Sequence, residues 1–145
     1  MRLPPVGATA SVTKTITDGD VRLFAELSGD RNPIHLSDAY ASRTRFGQRI
    51  AHGVLVTGLV SNVIGMQLPG EGAIYLSQNN RFTAPAFIGD TVTATATVSA
   101  VREDKAIITL ETRCVNQRGE TLVTGESVVL YEPVSEPLAG LKEEA

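Results

Sequence analysis

At 145 residues and 42% hydrophobic, the chain is the size of one ordinary domain, able to bury roughly two-thirds of the surface its unfolded form exposes. Its formal net charge of −3 and pI near 5.4 argue against nucleic acid as a partner, because neutralising phosphates requires clustered Lys and Arg. No stretch of about 20 apolar residues and no basic-then-apolar N-terminus precedes Pro4-Pro5, so neither a membrane span nor a signal peptide is read, and a cytoplasmic protein is expected.

Residues 1–8 form a Pro- and Gly-containing lead-in, and Glu132 to Ala145 form a polar tail; both ends are expected to be loosely held. Thr9 to Thr17 mixes β-branched and polar residues like an edge strand. Asp18 then caps a short helix whose apolar face carries Val21, Phe24, Ala25 and either Leu27 or Leu23, and Gly29 ends it. A second short helix is expected from Ser37, as N-cap, to about Thr44. Asp30 to Leu36 is left as a loop in which Pro33 holds Asn32 extended, and loops of this sort present side chains to ligands.

From Gly53 to Met66 the apolar residues Val54, Leu55, Val56, Leu59, Val60, Val63, Ile64 and Met66 fall on almost every side of a helical wheel, so this helix must be wrapped. Ile74 to Thr83, Asp90 to Val101, Lys105 to Asn116 and Glu120 to Tyr131 read as strands, the last two joined by an Asn-Gln-Arg-Gly turn at 116–119. Thr91, Thr93, Thr95 and Thr97 alternate with Val92, Ala94, Ala96 and Val98, giving one polar face and one that packs. Four strands with short turns after a buried helix mean an antiparallel sheet curled around that helix, an α+β fold in one domain spanning residues 1–145. Cys114 is the only cysteine; no internal disulfide forms, and its apolar setting makes it a buried, inert thiol. There is no GxGxxG or Walker sequence.

The chemistry concentrates in one region. Asp30 and His35 lie five residues apart, and both histidines of the chain, His35 and His52, fall between residues 30 and 52. A carboxylate and an imidazole can together move protons near neutral pH. Gly53, at the start of the apolar helix, lacks a Cβ and so permits close approach of a carbonyl to the helix end, whose N–H groups favour negative charge. A zinc site needs three or four convergent ligands; no His-x-x-x-His or paired Cys occurs, so no metal is expected.

Gly29-Asp30-Arg31-Asn32-Pro33-Ile34-His35, then Phe46-Gly47, then Ile50-Ala51-His52-Gly53 and an apolar helix reaching past Ser61 closely resemble the hydratase motif of MaoC-like, (R)-specific enoyl-CoA hydratases of the hot-dog fold. Phe82-Thr83-Ala84-Pro85 and Gly89-Asp90-Thr91-Val92 extend the likeness over most of residues 9–131, less specifically, since hot-dog proteins with other activities share them. The resemblance implies an acyl-CoA substrate and a hydro-lyase that adds water across the 2,3 double bond of a trans-2-enoyl-CoA to give an (R)-3-hydroxyacyl-CoA. It implies Asp30 and His35 as the catalytic pair, with their division of labour open, and the Gly53 N–H as the oxyanion donor. Asn32, Ser61 and His52 are placed on the substrate side, His52 through its backbone and packing. Arg43, Arg45, Arg49 and Arg81 are the candidates for the coenzyme A phosphates. No redox cofactor is needed, and a homodimer joined edge to edge is implied. Two rivals share the fold: a thioesterase that directs water to C1, and a non-catalytic acyl-CoA-binding module, against which the intact pair argues.

Overall fold

α4 (Gly53–Met66) is the axis around which the other elements are arranged. The computed structural model describes residues 2–134; most of the expected loose tail, 135–145, lies outside the described residues. Five antiparallel strands, β1 (Thr9–Thr15), β2 (Ala73–Phe82), β3 (Thr91–Arg102), β4 (Ile107–Val115) and β5 (Thr121–Tyr131), form one sheet in the order β1-β3-β4-β5-β2. Between β1 and α4 stand α1 (Asp18–Ser28) and two single turns, α2 (Pro33–Leu36) and α3 (Asp38–Ala41).

The alternation in β3 holds throughout its first half. Val92, Ala94, Ala96 and Val98 are buried against α4. On the other face Thr91 and Thr93 pair hydroxyl to hydroxyl with Thr15 and Thr13 at 2.7 and 2.8 Å, cross-strand contacts that fix β1 as an edge. From α4, Val56, Leu59, Val60, Val63 and Ile64 enter the core beside Ile108, Leu110 and Leu122, each fully buried aliphatic side chain worth about 1.5–3 kcal/mol. Cys114 is among them, its thiol pushed up to about 11 by burial, so it is not a nucleophile at neutral pH.

Several expectations are corrected. Thr17, not Asp18, is the N-cap of α1: its hydroxyl accepts from the Asp20 N–H, and the Asp20 carboxylate accepts from the Thr17 N–H, a capping box that needs the acidic residue three positions on. Val21 and Ala25 are the buried face of that helix, whereas Leu23 and Leu27 are 69% and 82% exposed, because the helix meets the core along a narrow stripe. Residues 30–36 are not wholly loop, since Asn32 caps the turn α2. α3 stops at Ala41, short of Thr44. The lead-in is tied down by the Gly7 N–H donating to the Val98 carbonyl and by Leu3 packing on the core.

α4 is also not wrapped on every side. The sheet covers the stripe just named, while Val54, Gly58, Ser61, Asn62, Gly65 and Met66 form an exposed stripe along its length. The free edge strand β2 likewise exposes Ile74, Tyr75, Leu76 and Phe82 at 40–53%. Among the described residues no helix is long and apolar enough to cross a membrane.

Candidate active site

The loop after α1 is shaped by three local devices. Gly29 takes φ 79° at the helix end, a left-handed conformation that favours glycine, and turns the chain outward. Asp30 then accepts the Asn32 N–H on Oδ1 at 3.2 Å, and Asn32 accepts the Ile34 N–H at 3.2 Å, with Pro33 at the first helical position. The resulting turn brings His35 Nε2 to 3.9 Å from Asp30 Oδ2.

His35 is 8% exposed, and its Nδ1 lies 2.7 Å from the carbonyl oxygen of Ile50. A carbonyl only accepts, so the hydrogen sits on Nδ1 and Nε2 presents a lone pair. Burial, the largest influence, lowers the proton affinity of His35; Ile50 and Asp30 oppose the shift and His52 reinforces it. The neutral ring and the carboxylate are thus two acceptors too far apart to bond directly. The 3.9 Å gap is one that a single water, donating one O–H to each atom, would bridge.

Residues 49–52 form the strap behind this pair. Arg49 Nε donates to the His35 carbonyl at 2.7 Å, the Ile50 N–H to the Ile34 carbonyl at 3.3 Å and the Ala51 N–H to the Ala86 carbonyl at 2.8 Å. His52 stacks on His35 with ring centroids 3.9 Å apart and 30° between planes, and its Nε2 lies 2.9 Å from the Asp30 carbonyl oxygen.

The proposed substrate residues fare differently. Arg49 is corrected: it is buried, ion-paired with Asp18 and 3.8 Å from Asp38. It therefore ties α1 to α3 through these carboxylates and to α2 through the His35 carbonyl instead of reaching a phosphate, and it holds the Asp18 carboxyl below the usual range. Arg81 is corrected too. Alternation along β2 turns it away from Phe82, to a depression on the outer sheet face with Thr95, Thr97 and Arg113. Arg43 and Arg45 are exposed before α4, Arg45 with its guanidinium 5.6 Å from the Phe46 ring. Asn32 spends its side-chain oxygen on the α2 cap. Ser61 lies on the open stripe of α4.

Gly53 begins α4, whose N-cap, His52, supplies no side-chain acceptor to the first turn, leaving backbone donors there. A cavity of about 550 Å³ opens beside it, lined by Arg45, Phe46, Val54, Phe82 and Leu122 among others. Asp30 and His35 do not line that cavity; the helix start is the link between the two. Sequence reasoning missed Phe82, whose ring would stand 2.6 Å from a Cβ at residue 53. Nothing in local periodicity signals a contact across 29 positions.

Asp30, His35 and His52 offer ligand atoms within 4.8 Å of one another. His35 Nδ1 and His52 Nε2 are committed to carbonyls, which leaves His35 Nε2, His52 Nδ1 and Asp30 Oδ2 as the uncommitted atoms.

A pH dependence follows from His35. Its folded-state proton affinity lies below the ordinary value of about 6.5, so on acidification the unfolded chain protonates first. Stability is full above about 6.5 and declines as pH falls through the interval down to the folded value. Thermal midpoints measured across that interval should show the decline, and His35→Gln should flatten it.

A family model described as a MaoC like domain matches residues 6–119. The chain belongs to this family. An "(R)-specific enoyl-CoA hydratase" of Rhodospirillum rubrum is 48% identical to this MaoC-like chain over 124 residues, 86% of this chain and 85% of that protein. A "3-hydroxybutyryl-CoA dehydratase" of Methylorubrum extorquens is 45% identical over 124 residues, 86% and 78% of the two. The solved structure of the (R)-hydratase from Aeromonas caviae superposes with a TM-score of 0.86 at 47% identity, covering 89% of this chain and 98% of that one. The five-stranded sheet around α4 is the hot-dog plan expected from the resemblance.

Proposed function

We propose that this MaoC-like protein is an (R)-specific enoyl-CoA hydratase, a hydro-lyase that reversibly adds water to trans-2-enoyl-CoA to give (R)-3-hydroxyacyl-CoA. The observation that carries the reading is the 3.9 Å separation of His35 Nε2 and Asp30 Oδ2, the spacing that one water bridges. As the water oxygen attacks C3, its proton passes to the lone pair of His35 Nε2, while Asp30 holds the other O–H and fixes the attacking face. Electrons move from the C2–C3 double bond to the thioester oxygen, where the Gly53 N–H stabilises the charge, a well-placed donor being worth about 3 kcal/mol. Collapse of the enolate takes the proton from His35 to C2, and the enzyme is returned unchanged. Coenzyme A enters as part of the substrate, with Arg43 and Arg45 the remaining candidates for its phosphates. Incubation with crotonyl-CoA and longer enoyl-CoAs should consume the enoyl absorbance and yield R product on chiral analysis. Release of free thiol instead would replace this reading with thioester hydrolysis.

Gly53→Ala tests the oxyanion assignment once Phe82 is allowed for. Because the added methyl meets the Phe82 ring, the single variant should lose stability as well as activity, against the simpler expectation that alanine only improves a helix. In a Phe82→Ala background the clash is gone. There Gly53→Ala should leave the melting temperature level or raised, by up to about 1 kcal/mol in stability, while hydration still falls. Equal activity of the Phe82→Ala proteins with and without the methyl would remove Gly53 from the site.

The reading includes a homodimer. The unpaired backbone groups of β2, its exposed Ile74, Tyr75 and Leu76, and the open stripe of α4 are an edge and a face that a second copy would cover. Sedimentation should report at least twice 15.4 kDa, and an active species at monomer mass would refute the dimer.

A further inference from the structure

We infer that His52 is a positioning residue that holds both members of the reacting pair, Asp30 through its main chain and His35 through its ring. The inference rests on the hydratase reading above. His52 is 2% exposed and is anchored as the N-cap of α4, the most deeply packed helix of the fold. Its Nε2–H donates to the Asp30 carbonyl at 2.9 Å, one face of its ring lies on His35 with centroids 3.9 Å apart, and Phe24 lies 4.7 Å away. A single side chain thus touches both members of the pair.

Asp30 needs such a hold. It is exposed, and the other bonds that shape its turn are short-range, from the Asp30 N–H to the Ser28 hydroxyl and from the Asn32 N–H to Asp30 Oδ1. The His52 bond, across 22 positions, ties the turn to the body of the protein. Packing alone does not account for an imidazole here. Nδ1 of His52 is buried with no hydrogen-bond partner, a destabilising arrangement that phenylalanine would avoid while filling similar space. The feature that phenylalanine lacks is the Nε2–H directed at Asp30.

His52→Phe therefore separates positioning from packing. It should keep or raise the melting temperature, lower kcat roughly 10- to 100-fold, as misplacing a reacting group by about 1 Å does, and leave KM within about twofold. Amide hydrogen exchange at Asn32, whose N–H is bonded to Asp30 Oδ1, should accelerate in the same protein. His52→Gln, which places an amide N–H where Nε2–H stood, should restore slow exchange and recover much of kcat. Should His52→Phe not fold, His52→Asn, whose amide mimics the Nδ1 position and falls short of Asp30, takes its place in the comparison. Wild-type kcat and wild-type exchange in the donor-less variant would overturn the inference, as would equal defects in the Gln and donor-less variants. If the wild-type protein does not hydrate enoyl-CoA, the hydratase reading fails by itself, and the exchange measurement still decides whether His52 holds the Asp30 turn.

Discussion

Asp30→Asn should lower hydration turnover by roughly a hundredfold or more, the contribution expected of an acid–base partner, with little change in melting temperature. The carboxylate is half exposed, and an asparagine oxygen can still accept the Asn32 N–H that shapes the turn. What changes is the atom facing His35. Oδ2, an acceptor 3.9 Å from Nε2, becomes an NH2 group that can no longer accept an O–H from a bridging water. Such a water then faces one donor and one acceptor in place of two acceptors. His35→Ala should reduce turnover at least as much, but not silently. His35 is buried, bonded to Ile50 and stacked on His52, so its removal should also destabilise the fold by about 1–3 kcal/mol. Steady-state rates with crotonyl-CoA, read beside thermal midpoints, check both. A folded Asp30→Asn protein at near-wild-type rate would refute the shared-water mechanism.

Gly125→Ala is expected to be among the most damaging single substitutions outside the site. Gly125 lies in β5 between Thr112 of β4 and Asn80 of β2. An added Cβ would collide with the Asn79 carbonyl oxygen and stand 2.6 Å from Asn80 Oδ1. The first is backbone and cannot rotate away, so β2 must shift from β5. Overpacking of this kind costs about 1–3 kcal/mol or more. The displaced strand carries Phe82, beside Gly53, and the exposed edge through which a second copy would pair. Denaturant midpoint, sedimentation and rate should therefore fall together. A variant with the wild-type midpoint would show that β2 tolerates a Cβ between it and β4.

Local signals in the chain determined much of this protein. The long apolar run of 53–66 and the two-residue alternation of 91–98 are short-range patterns, and they specified a helix and a strand that pack on each other. The run from Gly29 to His35 carries its own turn chemistry: a left-handed glycine, an Asp oxygen over its own loop, an Asn cap and a proline. The pairing of Asp30 with His35 is legible in the motif that carries the family resemblance, and the turn chemistry is what brings the two within 3.9 Å. Tertiary structure alone decided the destinations of long side chains and the contacts across many positions. Arg49 and Arg45 are alike as letters, yet one is sealed between Asp18 and the His35 carbonyl and the other faces solvent and the cavity. Arg81 and Phe82 are adjacent, and the pleat sends them to opposite faces. The bonds of His52 to Asp30 and of Arg49 to His35, and the ring of Phe82 over Gly53, exist because the sheet and α4 bring distant segments within a few ångströms. No window of sequence shorter than those separations contains them.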